Sequence, residues 1–376
     1  MRTSRFGKTN LDLSVFSLGT MRCLASPQIT RETIARGIAL GINHLETAPA
    51  YGKSEVYVGQ ALQDLAISRQ DIYLTTKLSP TLNREQATLA IDSSLKKLQV
   101  DYIDCLAIHG INTQSHLESS TNPHGCLAAI QTAIHQGKIR HLGFSTHGSL
   151  DLIIAAIETN LFEFVNLHYY YFWQRNQPAI ALAAAQDLGI FIISPADKGG
   201  QLYTPPEQLK KLCDPFSPLE LNYRFLLSDR RITTLSVGAA TPEELIAPLA
   251  VSDADDPLSD REKTVFSKLE SQLESSLNTD LCRQCDRCLP CPETINIPEI
   301  LRLRNLEIAY DMQRYGQYRY GMLENAGHWF PGNKGNRCTD CGDCLPRCPE
   351  NLDIPRLLRD SHQRLKGKQS RRLWSE

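Results

Sequence analysis

No run of apolar residues in this sequence approaches the roughly 20 that a membrane-spanning helix needs. The opening stretch, MRTSRFGKTNLDLS, lacks the apolar core of a secretory signal. An excess of either charge is missing too: 40 Lys and Arg stand against 42 Asp and Glu, a formal net charge of −2. That balance gives no broad pull toward nucleic acid or an anionic membrane. One basic stretch, Arg364 to Arg372, reads as a solvated terminus. A cytoplasmic protein that binds neither nucleic acid nor membrane is therefore expected. A disulfide framework is excluded on other grounds. Such frameworks belong to small secreted chains. Here four of the 12 cysteines are scattered (Cys23, Cys105, Cys126, Cys213) and the other eight form two clusters after residue 280. Dense cysteines confined to one end of such a chain point to metal binding.

What the sequence does have is alternation. Strand patterns occur at 15–20, 42–47, 72–77, 102–109, 139–146, 162–169, 189–194 and 233–239. Between them lie helical patterns such as RETIARGIALG, REQATLAIDSSLKKLQ and LDLIIAAIETN, with apolar residues three and four apart. Parallel strands require crossovers, so strict alternation predicts an α/β fold with a parallel sheet. Eight such units predict a closed (β/α)₈ TIM barrel, which takes about 250 residues. The 376 residues leave room for one small module. The Asp-, Ser- and Pro-rich VSDADDPLSD (251–260) reads as a linker or surface turn. Domains are therefore expected at 1–255 and 256–376, the second mostly helical, with a long helical insert, IPEILRLRNLEIAYDMQRYGQ, between its cysteine clusters.

Chemistry in this architecture sits at the C-terminal ends of the strands. There the sequence places Glu46 and Tyr51 after the second strand, Lys77 at the end of the third and His109 at the end of the fourth. A tyrosine holds its proton with a pKa of about 10. An ammonium beside it stabilises the phenolate, and a carboxylate fixes the ammonium. A histidine can orient a carbonyl oxygen or help relay the proton. The set is equipped for acid–base work on a carbonyl.

The segments RFGKTNLDLSVFSLGTM, GINHLETAPAYGKSEVYVG, TTK, LAIHG, KIRHLGFSTH and SVGAATPEEL resemble the aldo/keto reductase superfamily over roughly residues 5–250. That resemblance implies hydride transfer from a nicotinamide cofactor to a carbonyl, with Tyr51 as general acid and Lys77 lowering its pKa. Glu46 would partner Lys77 and His109 would orient the carbonyl. The family usually has Asp where this chain has Glu46. At the Ser-Asn pair and the Gln that contact the carboxamide, this chain has Ser145, Thr146 and Asn166. Cofactor contacts are also implied at Ser194, Gly238 and Ala239, but the tyrosine that stacks on the nicotinamide ring is absent from IFIISPADKGG. NADPH is the implied cofactor. Yet VGAATPEEL offers no Arg or Lys for its 2′-phosphate, and Glu244 would repel it, which leaves NADH as an alternative.

The first cysteine cluster, CRQCDRCLPCP, supplies Cys282, Cys285, Cys288 and Cys291; the second, CTDCGDCLPRCP, supplies Cys338, Cys341, Cys344 and Cys348. The second has the C-x₂-C-x₂-C-x₃-C-P spacing of two-cluster ferredoxins, in which the fourth cysteine ligates the other cluster. Two [4Fe-4S] clusters are implied, one on Cys282, Cys285, Cys288 and Cys348, the other on Cys338, Cys341, Cys344 and Cys291. The first motif has two residues, not three, before its last cysteine, with Pro290 beside it. The alternative, two zinc sites, leaves the third evenly spaced cysteine and the trailing proline without a role. With its long helical insert the module resembles all-helical ferredoxin modules. The whole chain resembles the iron–sulfur subgroup of aldo/keto reductases, with a ferredoxin-like C-terminal domain.

Cys105 reads as core, and Cys23 lies near the barrel mouth, open to exposure there, with a packing role favoured over a reactive one. His116 and His124 in the loop after the fourth strand read as solvated. Nicotinamide moves two electrons and each cluster one, so coupling them takes a flavin-like intermediary, and no flavin fingerprint is evident. Three functions are compatible. The favoured one is an NAD(P)H-dependent reductase of a small-molecule carbonyl, its clusters structural, redox-sensing or electron-transferring. The second is an electron-transfer protein whose barrel uses another cofactor or an electron-transfer partner. The third is a non-catalytic nicotinamide-binding sensor.

Overall fold

The first ten strands of the chain build a hairpin and a barrel. In a computed structural model, which describes residues 1–367, β1 (Thr3–Arg5) and β2 (Asp12–Ser14) pair antiparallel. The part of the basic stretch after residue 367 lies outside the described residues. Then follow β3 (Phe16–Gly19), β4 (His44–Glu46), β5 (Tyr73–Leu78), β6 (Ile103–His109) and β7 (Ile139–Ser145). The last three are β8 (Phe164–Leu167), β9 (Gly189–Ile192) and β10 (Thr234–Val237). Each pairs in parallel with the next, and β10 returns to β3 with Leu235 opposite Phe16, closing an eight-stranded barrel. Seven of the eight barrel strands fall within the stretches expected from sequence, and β5 runs one residue past its own, to Leu78. Strands buried on both faces must be apolar almost throughout, and β3, β8 and β9 are buried at every residue.

The hairpin closes the N-terminal end of the barrel, where Phe6 and Leu13 pack with Cys105, Ala107, Phe164 and Phe191. Its turn passes so close to β9 that a Cβ at Gly7 would stand 2.2 Å from the Gly189 nitrogen, and Gly7 itself has φ +53°. Only glycine fits there. Deeper in the barrel His44 is sealed between Ser17 Oγ (2.6 Å) and Thr75 Oγ1 (2.7 Å). Burial, with the Lys77 charge adding to it, pushes its pKa down to about 3. His44 is therefore a neutral polar core residue, both ring nitrogens engaged. Of the scattered cysteines, Cys23 is fully buried, its thiol pushed up to about 11 by burial, and Cys105, Cys126 and Cys213 are buried with it.

The chain divides into two units: Met1–Gly199 with Asn222–Asp256, and Gly200–Leu221 with the segment from Pro257 onward. The second unit is helical, with helices at Asp260–Leu277, Ile297–Tyr310, Gln313–Met322 and Ile354–Leu365. Ser259 and Glu262 form a capping box at the first of these. The insert expected as one long helical stretch is two helices, broken where Asp311 turns left-handed at φ +58°. Arg304 ties Ile297–Tyr310 to Asp360 (2.6 Å) on the last helix and to Asp280 (3.3 Å) just before the first cysteine motif. Among the described residues no helix is long and apolar enough to cross a membrane.

Candidate functional site

At the C-terminal end of β4 the chain leaves Glu46 through two successive turns, Tyr51 N–H to Ala48 O (3.0 Å) and Ser54 N–H to Tyr51 O (3.1 Å), into the helix Ser54–Asp64. These turns bring the Tyr51 ring back over the neighbouring strand end, where Lys77 rises from β5. The Lys77 ammonium donates to Tyr51 Oη (2.9 Å) and to the Thr47 carbonyl (3.1 Å), and it is in ion contact with Glu46. An ammonium has three protons to give, and these three partners engage all of them. Glu46 and Lys77 are 4% and 3% exposed, so the pair lies out of solvent. The extra methylene of Glu46, relative to the family's Asp, does not prevent contact.

Burial pushes the Tyr51 phenol above its ordinary pKa and the Glu46 charge adds to this; the charge and hydrogen bond of Lys77 oppose the shift without reversing it. Lowering by Lys77, expected from the sequence, is thus outweighed. Burial also acts to lower Lys77, but the charge of Glu46 and the hydrogen bonds to Glu46 and Tyr51 prevail and raise it. The resting pair is a neutral phenol beside a charged ammonium. Because the phenol oxygen accepts from Lys77, its own proton is directed elsewhere. His109, half-buried at the end of β6, stands edge-on to the Tyr51 ring with centroids 5.8 Å apart. The structure brings Glu46, Tyr51, Lys77 and His109 to one mouth.

The residues proposed to contact the cofactor divide into two kinds. The hydroxyl of Ser145 accepts from Gly110 N–H (3.0 Å), and that of Thr146 donates to the Ile111 carbonyl (2.7 Å) and accepts from Gly148 N–H (3.0 Å). Both brace the loop that follows His109. Asn166 on β8 differs: it is fully buried, and neither its amide nitrogen nor its oxygen has a partner among the described residues. A buried carboxamide without partners is costly and calls for a ligand. One donor and one acceptor side by side suit another carboxamide, such as that of a nicotinamide. Ser194 has φ +53°, and Gly238 offers its carbonyl to Arg22 (2.7 Å) beside the buried Ala239.

Sequence reading missed a polar chain at the same mouth. Tyr170 donates to the Ile193 carbonyl (2.5 Å) and is hydrogen-bonded to His168 Nδ1, and His168 Nε2 lies 3.0 Å from His147 Nδ1. A carbonyl can only accept, so donation runs from His147 through His168 and Tyr170 to Ile193 when both imidazoles are neutral. The aromatic run HYYYFW at 168–173 was the available signal. His116, expected in solvent, instead holds the Gly110 carbonyl (3.0 Å); His124 is exposed.

In the second unit the eight clustered cysteines line two cavities, each about 330 Å³ counted with the space open to solvent. One is lined by Cys282, Cys285, Cys288 and Cys348, with Pro298, Leu301 and Ile354 as apolar wall. The other is lined by Cys291, Cys338, Cys341 and Cys344. Each motif thus lends its last cysteine to the other's cavity. Burial pushes the Cys282 thiol to about 11 and Cys288 to about 12, so their thiolates need positive charge at hand. Zinc would draw four donors to within about 2.0–2.3 Å of one point. Four sulfurs around a cavity fit a [4Fe-4S] cubane better.

Comparison with known proteins agrees with both halves. The model of the aldo/keto reductase family matches residues 16–269, and that of a 4Fe-4S dicluster domain matches residues 281–352. Methylglyoxal reductase DkgB of Yersinia pestis is 33% identical over 148 residues, 39% of this chain and 52% of that protein, so the chain spans about half the length of this curated relative. An uncharacterized oxidoreductase of Bacillus subtilis, YqkF, is 22% identical over 291 residues, 68% of this chain and 92% of its own. The aldo-keto reductase AKR11C1 from Bacillus halodurans, in its holo form, superposes with a TM-score of 0.63 at 23% identity. It covers 71% of this chain and 96% of that one, a likeness of fold. The chain belongs to the aldo/keto reductase family and carries a 4Fe-4S dicluster domain after the barrel.

Proposed function

We propose that the barrel reduces an aldehyde or ketone with NADPH or NADH, Tyr51 being the proton donor. The second unit would hold two [4Fe-4S] clusters in a structural or redox-sensing role. The observation that carries the reading is the Lys77 ammonium, held by Glu46 and Thr47 with its remaining proton on Tyr51 Oη. A bound reduced nicotinamide supplies hydride to the carbonyl carbon. Everything else falls to the side chains. Tyr51 gives its proton to the oxygen as negative charge develops there; an alkoxide is a far stronger base than a phenolate, so a raised phenol pKa does not stop the transfer. The phenolate left behind is met at once by Lys77, already aligned, at no reorganisation cost. Glu46 keeps that ammonium in place and charged. His109, beside the Tyr51 ring, orients the carbonyl oxygen.

Asn166 holds the cofactor's carboxamide, and Asn166→Leu tests this. Two neutral hydrogen bonds at about 0.5–1.5 kcal/mol each make NAD(P)H binding roughly 5- to 150-fold weaker in the variant. Removing a buried amide without partners also leaves the ligand-free protein at least as heat-stable as before. Fluorescence titration and a melting curve read both. An unchanged dissociation constant removes Asn166 from the site.

A further inference from the structure

The loops after β3 and β10, neighbours in the barrel, are joined across 222 residues by Arg22 and Glu244. Arg22 Nη1 lies 2.9 Å from Glu244 Oε2 and donates to the Gly238 carbonyl (2.7 Å); Nη2 reaches Glu244 Oε1 at 3.4 Å. The same Oε2 accepts from the Ala240 N–H (3.0 Å). A guanidinium fork and a backbone N–H converging on one spot are an anion seat. Here the chain's own carboxylate fills it. Both side chains are half-exposed at the barrel mouth, 41% and 35%, so a ligand lying there meets the filled seat.

A dinucleotide anchored by its carboxamide at Asn166 on β8 has its other end free to run along the mouth. β10 lies two strands on, about 10 Å at the usual strand spacing. The loops after the seventh and eighth strands of such barrels hold phosphates. NADPH and NADH differ in one group, a phosphate or a hydroxyl on the adenosine ribose. A phosphate monoester carries a charge of about −1.5 to −2 at neutral pH. Set against Glu244, it meets a like charge on donors already engaged. A ribose hydroxyl can instead donate to that carboxylate.

We propose that Glu244, held by Arg22 and the Ala240 N–H, is a specificity-determining residue that makes the barrel select NADH over NADPH. This rests on the barrel using a nicotinamide dinucleotide. Equilibrium binding tests it: titration calorimetry of the iron-loaded protein with NAD⁺ and NADP⁺, without substrate, in wild type, Glu244→Gln and Glu244→Gln/Arg22→Met. Wild type binds NAD⁺ more tightly than NADP⁺. Glu244→Gln raises NADP⁺ affinity about tenfold by removing one like charge near the surface. The double variant loses that gain, because Arg22 is then missing from the vacated seat. Tighter NADP⁺ binding by wild type overturns the proposal, as does a ratio of affinities that Glu244→Gln leaves unchanged. If wild type binds neither dinucleotide, the nicotinamide reading of the barrel falls together with the proposal.

Discussion

Tyr51→Phe lowers the turnover number of carbonyl reduction about 10²- to 10⁴-fold, the usual contribution of a positioned general acid. The change removes one oxygen and little else. Phenylalanine keeps the ring whose centroid lies 4.5 Å from Lys77 Nζ and its edge-on contact with His109. Cofactor affinity therefore stays within about twofold. What is lost is the transferable proton and the phenolate that Lys77 stabilises. The loss appears in kcat and in kcat/KM alike, the mark of an interaction made only in the transition state. One side effect follows: Lys77, with one N–H no longer engaged, relies on Glu46 and Thr47 alone. A kcat within threefold of wild type would show that the proton comes from elsewhere.

Cys348→Ala empties the cavity of the first motif, though Cys348 belongs to the second. It lines one cavity with Cys282, Cys285 and Cys288, whereas Cys291 lines the other with Cys338, Cys341 and Cys344. Anaerobically prepared wild type is expected to carry about eight irons and Cys348→Ala about four. Pairs of substitutions make the assignment independent of partial loading. Adding Cys282→Ala to Cys348→Ala removes no further iron, because both sulfurs serve one cluster. Adding Cys338→Ala removes the remaining four. The opposite pattern would mean that each motif keeps its own fourth cysteine, and that the two-residue spacing before Cys291 carries a cluster unaided.

Legibility in the sequence followed burial. The barrel strands show as apolar runs because both their faces are covered, and the order of Glu46, Tyr51, Lys77 and His109 on successive strand ends marks one mouth. The cysteine motifs are legible because spacing within each loop brings its first three sulfurs together, while the exchange of the fourth follows from the likeness to two-cluster ferredoxins. Features that depend on contacts between distant loops were not. Nothing beside Thr146 announces that its hydroxyl serves Ile111, or that Ser145 is taken by Gly110. Glu244 reads as a lone charge until Arg22 is seen beside it. The break at Asp311 has no glycine or proline to signal it; an aspartate in the left-handed region ends the helix instead. The direction of the Tyr51 shift needed the depth of the site, since burial, not Lys77, sets its sign.

The central claim is that hydride passes directly from nicotinamide to the carbonyl carbon inside the barrel, without detour through the clusters. Iron-loaded protein, NADH deuterated at C4 of the ring and an aldehyde, followed by mass spectrometry of the alcohol, tests it most directly. One deuterium on the carbinol carbon is the predicted result. An alcohol formed by the protein but carrying only solvent hydrogen there would contradict it, because the electrons would then have travelled apart from their proton.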